Sequence, residues 1–117
     1  MPEVLHYNDG EVIFAEGSTG KEMYIIESGK VEISLRVKGR KKPIAVLEKG
    51  DFFGEMSLLD GLARSASVFA IDDVEVLTLD RKDFLALLKK YPKMSLNLTK
   101  VFCARLRRSD AQIKRLS

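Results

Sequence analysis

The chain has 117 residues, 45% of them apolar and 32% charged, a net charge of +3, one cysteine and one histidine. That is the size and composition of a single globular domain able to bury a core of its own. One thiol and one imidazole exclude an intrachain disulfide, a Cys/His zinc site and an iron–sulfur cluster, and no apolar run approaches the roughly 18 residues of a membrane span or the pattern of a signal peptide. The expectation is a cytoplasmic protein with no metal and no membrane partner.

Turn signals recur about every ten residues, at Asp9-Gly10, Glu16-Gly17, Ser28-Gly29, Gly39, Lys49-Gly50, Asp60-Gly61 and Asp72-Asp73. Short apolar runs between them predict a β-sandwich or barrel with strands at 11–14, 23–27, 31–38, 43–47, 66–70 and 74–79. In the clearest run, apolar and polar residues alternate without a fault and put Val31, Ile33, Leu35 and Val37 on one face. Met23 to Glu27 is its expected hairpin partner through a tight turn at Ser28-Gly29. Lys38 to Lys42 reads as a small basic turn that aids solubility.

After Leu79 the apolar period lengthens to that of a helix. Asp80 is placed to cap it, Phe84, Leu85, Leu87 and Leu88 form its apolar side, and Pro92 ends it, giving a helix at about 81–90. A long last helix is expected over about 93–116. There Thr99, Phe102, Leu106, Ser109, Ile113 and Leu116 follow heptad spacing, which suggests a homodimer seam through residues 99–116; the alternative is that this stripe packs on the chain's own barrel. Cys103, beside Phe102, reads as a packing residue and His6 as a surface residue.

Charge is unevenly spread, with seven Lys/Arg against Asp110 alone in residues 93–117 and thirteen against sixteen acids before them. A basic helix suits nucleic acid but is more often a solvated face, and no recognition helix follows it. Direct nucleic-acid binding is not expected. Nor is an enzyme, because His6 has no plausible nucleophile partner and a single candidate carboxylate, Glu55, cannot do two-carboxylate acid–base work.

The informative stretch is Phe52 to Ala70. Ser57 through Leu59 make at most one helical turn before Asp60-Gly61, leaving backbone N–H groups that suit an anion. If Arg64 folds back toward them, its guanidinium supplies the charge a buried phosphate requires, and Ser65 adds a hydroxyl donor. Glu55 beside a phosphate suits a sugar hydroxyl, from which a carboxylate only accepts, so the pairing suggests a ribose phosphate. Small residues at Gly54, Ala63 and Ala66 leave room for close approach. The same residues equally fit a surface ion pair of Glu55 and Arg64 around a loop.

The pattern Gly54, Glu55, Met56, Ser57, Leu58, followed by Arg64, Ser65, Ala66, Ser67, resembles the phosphate-binding cassette of the cyclic nucleotide-binding domain of the catabolite activator protein family. That domain also occurs in regulatory subunits of cAMP-dependent protein kinase and in cyclic nucleotide-gated channels. Gly-Glu-Val-Ile-Phe at 10–14, Met-Tyr-Ile-Ile at 23–26 and Ser-Gly-Lys-Val at 28–31 match the family's barrel strands in order, so the resemblance spans essentially the whole chain. It implies a mainly β fold with α, an eight-stranded jelly-roll-like β-roll (a double-stranded β-helix) at about 10–80 followed by the two C-terminal helices, all one domain over 1–117. It further implies that Gly54, Glu55, Met56, Ser57, Leu58, Arg64, Ser65 and Ala66 form the ligand site. Arg64, Ser65 and cassette backbone would hold the cyclic phosphate, and Glu55 the ribose 2′-hydroxyl. Aligning Arg105-Leu106 with the activator branch places Ser109 against the base, on the seam that heptad spacing marks.

Members that have lost ligand binding often lack the Glu or the Arg, and this chain keeps both. Ala63 replaces the proline common before the arginine, and the sequence stops at Ser117 without the helix-turn-helix output domain. Threonine often follows the arginine where guanine is bound, and here Ser65 does, which favours cAMP over cGMP. The expected function is a non-catalytic cyclic nucleotide sensor that signals through its last helix, within itself or to a separate effector protein. The alternative is a structural or dimerisation module of a larger regulator with a degenerate pocket.

Overall fold

A computed structural model describes residues 2–93. The long helix expected at 93–116, its seam, Cys103 and Ser109 lie outside the described residues. The chain divides into two compact units, one running to Asp83 and the other beginning at Phe84.

The first unit holds eight strands: β1 (Glu3–Tyr7), β2 (Val12–Phe14), β3 (Met23–Ser28), β4 (Val31–Val37), β5 (Arg40–Leu47), β6 (Phe52–Phe53), β7 (Ser67–Ala70) and β8 (Val74–Leu79). A short helix, α1 (Glu55–Asp60), follows β6, and α2 (Arg81–Lys90) follows β8. The strands form two antiparallel four-stranded sheets, in the orders β1-β8-β3-β6 and β2-β7-β4-β5. This is the expected jelly-roll-like architecture, with the interior between two facing sheets.

β3 and β4 are not the hairpin that their alternation predicts. β3 pairs with β6 and β8, whereas β4 pairs with β5 and β7. Ser28-Gly29 is a corner at which the chain passes from one sheet to the other. Gly29 takes a φ of 84°, and a Cβ there would stand 2.2 Å from the carbonyl oxygen of Asp73. The corner is tied down when the Lys30 N–H donates to Asp72 Oδ1 at 2.8 Å and the Ile71 N–H to the Lys30 carbonyl at 3.1 Å. Glycine is needed at such a turn whether it closes a hairpin or crosses a sandwich, so the residue alone does not choose.

The true hairpin is β4–β5. Val37 faces Arg40 across Lys38 and Gly39, whose φ values of 52° and 77° give the two positive dihedrals that a twisted two-residue hairpin requires. β5 therefore starts at Arg40, three residues before the expected 43. Register slips between Ile33 and Ser34, where Ile44 is the extra residue on β5. Ser34, on the polar side of the alternation, is buried, and its hydroxyl donates to Glu32 Oε1 at 3.0 Å.

Two strands are not in the expected set. β1 turns Val4 outward, 60% exposed, next to Leu5, which is half-buried, so its apolar alternation is faint; β6 has only two residues, too few for any period. The core gathers Tyr24, Ile26, Val31, Phe53, Val68, Ala70, Val74 and Val76, with Leu5, Tyr7, Ile13, Phe14, Ile33 and Leu47 against it. Each fully buried valine here contributes on the order of 1.5–3 kcal/mol relative to an exposed one. At the start of α2 the Asp83 N–H donates to Asp80 Oδ1 at 2.7 Å, the cap expected from the sequence.

Candidate functional site

α1 begins at Glu55, two residues earlier than the expected turn, because Gly54 closes its N-terminus in a left-handed conformation (φ 81°) with no side-chain cap. Gly61 closes the other end, its N–H donating to the Ser57 carbonyl at 2.9 Å. Six residues bracketed by glycines turn the chain sharply between β6 and the segment that carries Arg64. Glu55, Ser57 and Leu58 are buried, while Met56 is 40% exposed.

Arg64 is fixed first through its backbone. Its N–H donates to the Ser18 carbonyl at 2.9 Å, and its carbonyl accepts from the Gly17 N–H at 2.8 Å, so the loop between β2 and β3 holds the residue from both sides. The side chain, 2% exposed, runs inward. Nη1 donates to the Gly54 carbonyl at 3.2 Å, and Nη2 lies 3.6 Å from Glu22 Oε2. The guanidinium carbon sits 4.2 Å from the centroid of Phe14 and 5.9 Å from that of Tyr24. Phe14, Tyr24 and Phe53 contact one another in turn, at centroid separations of 5.0–5.8 Å, which makes an aromatic floor for the cation. Burial pushes the Tyr24 phenol above its ordinary value more than the Arg64 charge lowers it, so the ring stays neutral at physiological pH.

Two glycines make this placement possible. A Cβ at Gly20 would meet Arg64 Nη2 at 2.5 Å, and one at Gly54 would meet Nη1 at 3.0 Å. One donor remains open, since Nε is buried without a hydrogen-bond partner. Buried donors are nearly always paired, so this is a pronounced exception.

Arg64 thus folds back onto Gly54 at the start of α1. Ser65 is exposed and Ala66 half-buried at the start of the strand segment that becomes β7. Ser57 and Leu58 lead elsewhere, lining a cavity shared with Lys21, Gly61 and Asp80 to Lys82 that includes neither Glu55 nor Arg64. Ser67, at the end of the cassette pattern, is structural: its Oγ accepts from the Glu16 N–H at 2.8 Å. Sequence reasoning missed Phe14, Gly20, Glu22 and Tyr24 as neighbours of Arg64. Nothing in their spacing joins them, although the inward side of the Met23–Glu27 run could have nominated Tyr24.

An all-antiparallel roll that turns through a glycine-bracketed helix and buries an arginine with an open donor defines a class of ligand-binding regulatory domain, and the cyclic nucleotide-binding domain family matches residues 4–91. The chain belongs to that family. It is 41% identical over 112 residues to the cyclic AMP receptor protein of Thermus thermophilus, covering 95% of this chain and 52% of that protein. It is 42% identical over 82 residues to the cGMP-dependent protein kinase egl-4 of Caenorhabditis elegans, covering 68% of this chain and 10% of the kinase. The crystal structure of the Thermus thermophilus catabolite activator protein superposes with a TM-score of 0.84 at 39% identity, covering 98% of this chain and 55% of that one. The chain spans about half the length of the bacterial receptor it matches.

Among the described residues no cluster of His, Cys, Asp and Glu could hold a metal ion, and no helix is long and apolar enough to cross a membrane.

Proposed function

We propose that the chain is a non-catalytic sensor domain for a cyclic nucleotide, with cAMP preferred over cGMP, that transmits binding through its C-terminal helix. Arg64 is the observation that carries this. A guanidinium 2% exposed with an unpaired Nε is costly to bury, and a cyclic phosphate would supply both the missing acceptor and the missing charge. Gly54 and Gly20 give the guanidinium itself room to lie there. Glu55 would accept a hydrogen bond from the ribose 2′-hydroxyl, Ser65 and Ala66 would add donors to the phosphate, and Ser109 would reach the purine. Met56 to Leu58 complete the cassette through their backbone. Ser65 in place of threonine and the likeness to a cyclic AMP receptor protein support adenine; the likeness to a cGMP-dependent kinase makes cGMP the competitor to test. The seam at 99–116 supports a homodimer.

One observation favours a ligand-free structural module, because Glu22 already stands 3.6 Å from Arg64 Nη2. That carboxylate is half exposed and screened by water, however, and it leaves Nε unpaired. Calorimetric titration with cAMP and cGMP separates the two. The sensor reading expects micromolar or tighter cAMP binding, weakened by Arg64→Ala by about 2–5 kcal/mol, or roughly 30-fold to several thousandfold. Arg64→Ala that binds like wild type, or wild type that binds neither nucleotide, sinks it.

A further inference from the structure

A cavity of about 450 Å³ lies beside α1, with neither Glu55 nor Arg64 in its walls. Its walls are Ser57, Leu58 and Gly61 from α1 and its cap, Lys21 from the β2–β3 loop, and Asp80, Arg81 and Lys82 at the start of α2. Three cations face one carboxylate there. The Asp80 carboxylate is already engaged as the α2 cap, accepting the Asp83 N–H at 2.7 Å. Lys21, Arg81 and Lys82 are exposed and would by themselves be an ordinary solvated patch. Ser57 makes the difference: it is a polar residue only 4% exposed, and it lines the cavity.

We propose that this cavity is a second anion site, distinct from the Arg64 pocket, for a compact phosphate-class polyanion. A tetrahedral oxyanion presents oxygens in several directions, so it engages Lys21, the Arg81–Lys82 pair and the Ser57 hydroxyl together. A planar carboxylate meets a fork of donors from one side only. The volume falls within the ordinary range of small-ligand pockets.

Inorganic pyrophosphate is the probe, titrated calorimetrically at fixed ionic strength of about 0.15 M to screen diffuse attraction. It is run on wild type, Arg64→Ala, Ser57→Ala and the double variant Arg81→Ala/Lys82→Ala. The proposal expects saturable binding that survives Arg64→Ala, weakens tenfold or more in the double variant and severalfold in Ser57→Ala. The double variant replaces exposed side chains, so its circular dichroism should match wild type. Absence of saturable binding overturns the proposal. So does binding that is lost in Arg64→Ala but kept in the double variant, which would put the anion in the cassette. Equal affinity for citrate would overturn the assignment to phosphate chemistry.

Discussion

Replacing Gly20 by alanine adds one methyl group beside the buried guanidinium of Arg64. The new carbon would stand 2.5 Å from Nη2, 2.9 Å from Nε and 3.0 Å from Cζ, whereas ordinary contact begins near 3.4 Å. Something must retreat by about 1 Å. The backbone at Gly20 is not in the left-handed region, so alanine itself is tolerated there, and the guanidinium is the part that moves. Behind it lie the Phe14 ring, 4.2 Å away, and the Gly54 backbone. A shift of that size breaks the 3.2 Å bond from Nη1 to the Gly54 carbonyl, a charge-assisted bond of the class that contributes about 1.5–3 kcal/mol. The loss of backbone freedom in the unfolded chain returns about 0.4–1 kcal/mol, leaving a net destabilisation of roughly 1–2 kcal/mol. Misplacement of the phosphate's charge partner should weaken cAMP by about tenfold to a hundredfold, or 1.4–2.8 kcal/mol. Urea melts and calorimetric titration of the same preparations measure the two effects separately. Gly39→Ala is the control: its φ of 77° is strained for alanine but nothing lies within 4 Å, so it should cost about 1 kcal/mol of stability and leave affinity unchanged. If Gly20→Ala binds cAMP as wild type does, the ligand does not meet Arg64 in this pocket.

Wild type should discriminate against 2′-deoxy-cAMP and Glu55→Ala should not; equal discrimination by both removes Glu55 from the ribose. Leu106→Glu should give monomers in sedimentation velocity with weakened cAMP affinity, because a ligand that binds the dimer better shifts dimerisation by the same factor, typically about 1–3 kcal/mol. A wild-type monomer with and without saturating ligand, well above micromolar concentration, refutes the dimer switch. The hydrogen bond from Lys41, at 2.8 Å, and that from Ser34 hold Glu32 below its ordinary value of 4.5. Its contribution to stability is therefore present above that value and is lost as pH falls through the depressed one. Urea midpoints of wild type and Lys41→Met should differ near neutrality and converge in acid, and a gap that persists at the lowest pH would show that the pair does not act through charge.

Much of the roll was legible because the turn residues are strong local signals: Asp80 caps α2 as expected, and β8 spans the expected residues 74–79. Pairing was not legible. The alternation of Val31 to Val37 fixes a face but not a partner, and Gly29 serves a corner as well as a hairpin. Gly54, Glu55 and Arg64 were nominated by type and spacing, and Arg64 does return to Gly54. The rest of its surroundings comes from residues 14, 20, 22 and 24, brought in by a loop whose path depends on the Gly17 and Ser18 backbone bonds to Arg64. Such convergence over more than forty residues leaves no periodic trace. Ser34 shows the opposite failure: alternation assigns it outward, yet it is buried, a small residue whose hydroxyl is bonded to Glu32.

The pairing of β1 with β8 sets an order of events during synthesis. Glu3 faces Thr78 and Tyr7 faces Val74, so the first strand of the roll finds its ladder partner among the described residues only some 70 residues later. At ordinary elongation rates that is a wait of roughly 4–14 seconds. Over the same interval β2 must wait for β7, whereas β4 and β5 close within one hairpin. The β4–β5 hairpin is thus the earliest ladder of the roll that can form on the nascent chain, and the roll's first strand is paired last.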